Sequence, residues 1–422
     1  MSRKVLVFCV LLAAAPVSAQ SAFETYRKFR AQACEAFIHK DYVTAQPLLE
    51  QIYQFTNGSS RAVYNLASVA AAQDDKERAL KWLNIFVDMG QALDLTRDPS
   101  FKSLESDARF KELTSRMQQN QAPVNHSTVA FKITDPELLT EDVAYDPKSK
   151  NFYVSSIRSH KIIRIDAAGR VSDFVTGDDS FCALRLDPNR RVLWATTSAL
   201  KGYAFAPEKD WGKSELLAYD LQSRSVLARL SLADDKQSHT LGDMTLTPSG
   251  DLVVSDGEAG GVYLLRRGGK QLEKLSDEFV APQTPAMHPD GRHVFVPDYA
   301  RGIGILDLIT HQVQWLRHPE NVALNGIDGL YFHHGALLGL QNGTTPERVV
   351  RIELTPALDA ITRLDVIQAN TDHFGDPTHG VIVGDNFYYI TNSGWDAFDD
   401  HGQLKPGEKL TNPVIMKFML PH

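Results

Sequence analysis

From about residue 139 to the end, apolar residues come in short runs cut by turn residues, and the runs repeat. The stretch LGDMTLTPSGDLVVSDGEAGGVYLL at 241–265 shows the unit. An acidic residue, Asp243, precedes a short apolar run; a turn at Thr247-Pro248-Ser249-Gly250 leads to a second run at 252–255; and a glycine-rich turn leads to a third at 261–265. Strand, turn, strand, turn, strand is a meander. The layout recurs at 141–147, 184–188, 286–291, 328–335 and 380–383, each with its following runs, which makes six copies. Pro147 to Pro188 and Pro248 to Pro289 are each 41 residues, whereas Pro188 to Pro248 is 60 and carries an insertion, ALKGYAFAPEKDWGKS. A period near 40 built of strands alone predicts a six-bladed β-propeller, and a β-sandwich does not explain six copies. The alternating run TVAFKI at 128–133 is expected to close the ring beside 414–420, since an unclosed propeller would leave an edge strand open.

Before that region the pattern is helical. Apolar and alanine positions between 22 and 117 match at an offset of 34: Ala33 with Ala67, Ala36 with Ala70, Ala45 with Ala79, Leu49 with Leu83, and Ile52 with Phe86. That offset and the small residues at the helix contacts resemble a pair of tetratricopeptide repeats. Thr56-Asn57-Gly58-Ser59-Ser60 supplies the turn between them, with Ser59 or Ser60 as an N-cap. Two repeats fall short of the three an isolated array needs, so the pair is expected to lean on something, with short helices after Asp98 and Asp107 as caps. The polar segment QQNQAPVNHS at 118–127 reads as a linker. The expected architecture is a tetratricopeptide-like helical domain at 22–117 followed by a six-bladed propeller at 128–420.

Composition changes this picture little. The chain of 422 residues has a formal net charge of -8, and no long Lys/Arg run argues for nucleic acid or an anionic membrane surface. Residues 1–19, MSRKVLVFCVLLAAAPVSA, read as a secretory signal, with Arg3 and Lys4 before a short apolar core and Val17-Ser18-Ala19 before Gln20. No later stretch is apolar enough for a membrane span. Past the signal only Cys34 and Cys182 remain, in different domains, so no disulfide framework is expected. A bacterial periplasm suits these features.

Candidate chemistry comes from the residue entering each inner strand, which lies near the propeller axis. These are Asp142, Ala183, Asp243, Thr284, Asp328 and Thr378, with Glu141 beside Asp142. Carboxylates at one ring repel unless a cation compensates, so Glu141, Asp142, Asp243 and Asp328 are candidate ligands of a divalent metal, most simply calcium. Taken singly, an acid at such a position caps a turn or faces water.

Residues 139–420 resemble the six-bladed SMP-30/gluconolactonase, paraoxonase and strictosidine-synthase-like propellers. The resemblance rests on Thr140-Glu141-Asp142-Val143, on Gly242-Asp243-Met244 with Pro248-Ser249-Gly250, and on Asn325-Gly326-Ile327-Asp328-Gly329-Leu330. It implies an axial calcium that polarises a lactone or ester carbonyl. The chain departs from that family at Gly242 and at Gln283-Thr284-Pro285, where oxygen ligands are usual. With the metal as Lewis acid, His379 and His239 are the candidate bases, His379 the first choice, and Thr284, Asp376 and His239 are candidate contacts for a small-molecule substrate in the channel, with a turn role ahead of Pro377 as the other reading of Asp376. Trp211, Trp395 and Phe398 fall in connections that could rim one channel face. The other reading is a non-catalytic binding or scaffold protein, its pocket degenerate and its helical repeats holding a partner protein.

Overall fold

The computed structural model describes residues 21–232 and 237–421; residues 1–19, which the sequence reads as a secretory signal, lie outside the described residues. Four antiparallel helices come first: α1 (Ala22–Ile38), α2 (Tyr42–Phe55), α3 (Ser60–Ala72) and α4 (Lys76–Asp88). Their starts are written in the sequence, because Ser21, Asp41, Ser59 and Asp75 each accept a backbone N–H of the first turn. All ten residues matched at the offset of 34 are buried, so the repeat pattern marks the faces where the helices meet. A 3-10 helix, Pro99–Leu104, capped by Asp98, and α5 (Ala108–Asn120), capped by Asp107, close the array. Among the described residues, no helix is long and apolar enough to cross a membrane.

Six antiparallel sheets follow. Their inner strands are Thr140–Asp146, Phe181–Asp187, Leu241–Leu246, Ala286–Met287, Ile327–His333 and Gly380–Val383, one per expected repeat. Apolar side chains interlock between neighbouring blades, for example Phe181, Leu184 and Leu217 with Ala144 and Ile162. The tight turns run on aspartates: Asp146, Asp187, Asp220 and Asp307 each accept a backbone N–H two residues further on. Much of the chain's acidic content is therefore turn chemistry.

The ring closes as the pattern predicts. Thr128–Lys132 pairs antiparallel with Val414–Met419 as the outer strand of the sixth blade. Two features lie within 118–127. Helix α5 continues to Asn120, and Val124–Asn125 pairs with Ile361–Ala369 as a fifth strand on blade five.

The helical domain sits on one face of the propeller, the face from which the inner strands start. Arg301, in the loop after the second strand of blade four, carries the contact. Its guanidinium lies 4.4 Å from the Phe55 ring and 4.1 Å from the Trp315 ring, and its Nε donates to the Phe55 carbonyl at 3.0 Å. Asn57 donates to the Arg301 carbonyl, the Ser60 N–H to Asn325 Oδ1, and the Ala92 N–H to the Thr345 carbonyl. Buried Arg348 of blade five donates to the Met89 carbonyl at 3.1 Å and to Gln341 at 2.7 Å. The pair of repeats leans on the propeller, as their small number requires.

Candidate functional site

The site forms where the inner strands begin. In four blades one extra residue is inserted at that point, between Thr140 and Val143, Phe181 and Leu184, Leu241 and Asp243, and Ile327 and Gly329. A bulge of this kind breaks the alternation of faces and re-aims side chains. In blade one it separates the roles of two adjacent acids. Glu141 faces the axis. Asp142 is fully buried between blades: Oδ1 accepts the Val143 N–H at 2.7 Å, Oδ2 accepts the Leu184 N–H at 2.7 Å, and Arg185 stands 3.4 Å away. Asp142, expected among the ligands, is thus committed to holding blade two and lies outside the axial group.

The axial group is Glu141, Asp243, Asp328 and His379. Potential ligand atoms of Glu141, Asp328 and His379 lie within 4.8 Å of one another. Asp243 joins them through Oδ1, which contacts His379 Nε2 and accepts the Thr284 hydroxyl. His379 is 1% exposed, and its Nδ1 donates to the Glu141 carbonyl at 2.7 Å, which fixes the ring. Thr378 donates to the same carbonyl at 2.8 Å. Asn342 donates to Asp328 Oδ2 at 2.9 Å and accepts from the Tyr299 hydroxyl at 2.9 Å. Trp395 Nε1 donates to Glu141 Oε2 at 2.7 Å. A cavity of about 420 Å³ opens above the group, with Glu141, Cys182, Tyr203, Asp243, Glu258 and Trp395 in its wall.

The other expected residues are placed as follows. Thr284 is fully buried, and its hydroxyl orients Asp243, so it faces a carboxylate where a ligand contact was expected. His239 turns Nδ1 to Asp256 Oδ2 at 2.5 Å, next to Thr240 at the cavity rim. Asp376 accepts from Ser393, and its backbone N–H donates to Glu347. Trp395 and Phe398 pack with Tyr203 and Phe205 of the blade-two insertion into an aromatic wall, while Trp211 ties that insertion together through the Tyr203 and Ala206 carbonyls. Asn342, Glu347 and Tyr299 carry no repeat signal: the first two sit in the connection between the second and third strands of blade five, and Tyr299 sits in the short turn between those of blade four.

The electrostatics follow from packing acids in a confined channel. Burial, with the neighbouring carboxylate of Asp328 adding to it, pushes Glu141 up to about 8. Burial and the Asp243 charge push Asp328 up to about 7. Burial opposes the charged form of His379, but Asp243, Asp328 and Asp142 outweigh it and hold the imidazole well above its ordinary value. Glu347 rises to about 7 and Asp376 to about 6, burial being the main cause in each.

All five folded values lie above their unfolded ones. Each group therefore contributes stability that is complete below its unfolded pKa and is lost as pH rises through the folded one. The metal-free protein should unfold at a lower temperature at pH 8.5 than at pH 5.5, and Glu141→Gln should flatten that slope. Asp307, held low by Arg292, titrates below this window. Thermal unfolding after chelation across this range checks it; a flat profile in the unmodified chain would contradict the assignment.

No protein-family model matches the sequence, and no curated protein matches it. Several solved structures are similar. The chain is a six-bladed β-propeller behind a helical domain. A gluconolactonase from Xanthomonas campestris is 12% identical, with a TM-score of 0.47 over 71% of this chain and 99% of that one. The calcium-binding protein regucalcin from Agrobacterium tumefaciens is 15% identical, with a TM-score of 0.48 over 69% and 93%. A PQQ-bound aldose sugar dehydrogenase from Streptomyces coelicolor is 14% identical, with a TM-score of 0.48 over 70% and 99%. The likeness is one of fold, and the reading of function rests on the site itself.

Proposed function

We propose that this is an exported, periplasmic, metal-dependent hydrolase of a lactone or related ester, centred on Glu141, Asp243, Asp328 and His379. One observation carries the reading: three carboxylates and an imidazole edge converge at the floor of a cavity, an arrangement that burial penalises unless a cation compensates. The residues fit a divalent ion. The carboxylates offer hard oxygens, and His379, whose Nδ1–H donates to the Glu141 carbonyl, turns Nε2 toward them, the nitrogen that would bind the ion in place of a proton. Calcium suits the carboxylates, and the imidazole is the donor that zinc takes readily.

When bound, the metal would supply Lewis-acid polarisation of the carbonyl under attack. Thr284 and Asn342 keep Asp243 and Asp328 in orientation, and Trp395 does the same for Glu141. Tyr203 and Trp395 offer an apolar wall to the body of a substrate. His379 was expected to be the base, but both its ring nitrogens are engaged. Glu347 and Asp376, at about 7 and about 6, have the proton affinity that suits taking a proton from attacking water near neutral pH. Asp376 also stands close enough to Asp328 to raise it.

The test is a panel of lactones and aryl esters offered to chelated protein and to the same protein reloaded with calcium or zinc. Hydrolysis restored by one ion supports the reading. Protein that holds its metal and stays inert on the whole panel selects the alternative, a binding protein. That alternative has its own observation: the helices carry a groove of about 530 Å³, with Arg30, Phe37, Arg61 and Tyr64 in its wall, where a partner protein would sit.

A further inference from the structure

A second cluster of metal-binding side chains lies on the opposite face of the propeller. The turn of blade four, His288-Pro289-Asp290-Gly291-Arg292-His293, joins its inner strand to the strand His293–Asp298. His293 is at the rear end of that strand and Asp298 at the mouth end, five residues away, or roughly 16 Å of extended chain. The cluster is therefore separate from the axial group.

Asp290 stands between two imidazoles. Its Oδ1 is 3.0 Å from His288 Nδ1, and its Oδ2 is 2.5 Å from His293 Nδ1. The two rings are 5.7 Å apart, and potential ligand atoms of all three residues lie within 4.8 Å of one another. Asp307 Oδ2 is 3.7 Å from His293 Nε2 while its carboxylate pairs with Arg292. A cavity of about 340 Å³ adjoins the cluster, with His288, Asp290, His293 and Asp307 in its wall.

The contact between His288 and Asp290 calls for a proton or a metal ion between them. Its Nδ1 accepts the Asp290 backbone N–H at 3.2 Å, so it presents a lone pair there. That lone pair faces a carboxylate oxygen at 3.0 Å, and two electron-rich atoms at this distance repel unless a proton or a metal ion lies by them. Either one on Nδ1 takes the place of the backbone N–H. Phe295 packs 5.2 Å from the His288 ring, and Asp290 Oδ1 accepts the Arg292 and His293 N–H groups at 2.9 Å each, so the turn is held in the shape that brings the three residues together.

We propose that His288, Asp290 and His293 bind a divalent transition metal of the zinc class. Two imidazoles and one carboxylate are a donor set that suits zinc and is poor for calcium or magnesium. Three protein ligands leave coordination open toward the cavity, so a water or a small anion completes the shell. The ion ties together the two ends of the turn.

The test uses the full mature chain, stripped with chelator and dialysed against zinc alone. The unmodified protein and the axial variant Glu141→Gln/Asp243→Asn should each bind one more equivalent than their counterparts carrying His288→Ala/His293→Ala. Equal zinc uptake with and without those two histidines overturns the proposal. A measurement on the unmodified chain guards against a variant that fails to fold: zinc should protect both His288 and His293 from carbethoxylation by diethyl pyrocarbonate, read by peptide mass spectrometry. Modification of both at the same rate with and without zinc also overturns it.

Discussion

Glu141→Gln combined with Asp243→Asn should remove the axial metal and lower kcat/KM for lactone hydrolysis by at least about 10³-fold, because polarisation by a bound ion is worth several kcal/mol. Both changes keep shape and remove charge. The amide introduced at position 141 would still accept from Trp395, whose Nε1 now donates to Glu141 Oε2, so the aromatic wall should stay in place. The amide at position 243 would keep a carbonyl oxygen for the Thr284 hydroxyl but would no longer stabilise a charged His379, whose raised proton affinity depends on Asp243 more than on any other neighbour. Metal content and activity should fall together while the circular dichroism of the folded chain stays the same. Full activity in the double variant would show that the axial group does not do the chemistry.

Arg301→Ala should release the helical domain. The guanidinium is packed against the Phe55 and Trp315 rings at 4.4 and 4.1 Å, and it donates to the Phe55 carbonyl at 3.0 Å and to the Glu278 carbonyl at 2.5 Å. Burial depresses its pKa, with Asp298 and Glu278 acting the other way, so its fit depends on these contacts all being made. Two cation–π contacts and two charged hydrogen bonds together make a loss of about 3 kcal/mol the expected scale. Because the helices lean on the propeller through few such contacts, unfolding should separate into two transitions, and proteolysis should reach the 118–127 stretch. Arg301→Lys should recover little, since an ammonium cannot stack on two rings. A single transition with an unchanged midpoint would mean the docking is held elsewhere, by Arg348, the Ala92–Thr345 and Ser60–Asn325 bonds and the Asn57 bond to the backbone of residue 301.

These two results probe different levels of what the chain makes legible. Repeats are local, so the six inner strands, the closing strand at Thr128–Lys132 and the buried alanines of the helix pairs are all visible as spacing. The N-caps at Ser59, Asp98 and Asp107 are visible for the same reason. The axial group was legible only to the level of a position. Glu141 and Asp142 are neighbours, and the one-residue bulge between Thr140 and Val143 decides which of them meets the axis. Nothing in the spacing of Thr140-Glu141-Asp142-Val143 announces that bulge, because a bulge is a property of the pair of strands.

The remaining parts of the site are long-range. Asn342 and Glu347 come from the connection after the second strand of blade five, Trp395 from the connection after the second strand of blade six, and the docking contacts join residues more than 200 positions apart. Such contacts are set by how finished blades and helices fit, and a single sequence carries no periodic trace of them. The same holds for Val124–Asn125, whose polar surroundings read as a linker although the two residues extend a sheet.

The most direct test of the axial centre is the metal content of the purified mature protein, with thermal unfolding followed before and after chelation. A ligand held only by the folded state at 100 times its Kd stabilises it by roughly 2.7 kcal/mol, which is large enough to move the transition visibly. The test is best run on the chain carrying His288→Ala/His293→Ala, so that only the axial group can respond. About one equivalent of calcium or zinc is expected, with a transition that falls on chelation and recovers on reloading. Protein that carries no metal, takes none up and melts at the same temperature with and without chelator would contradict it.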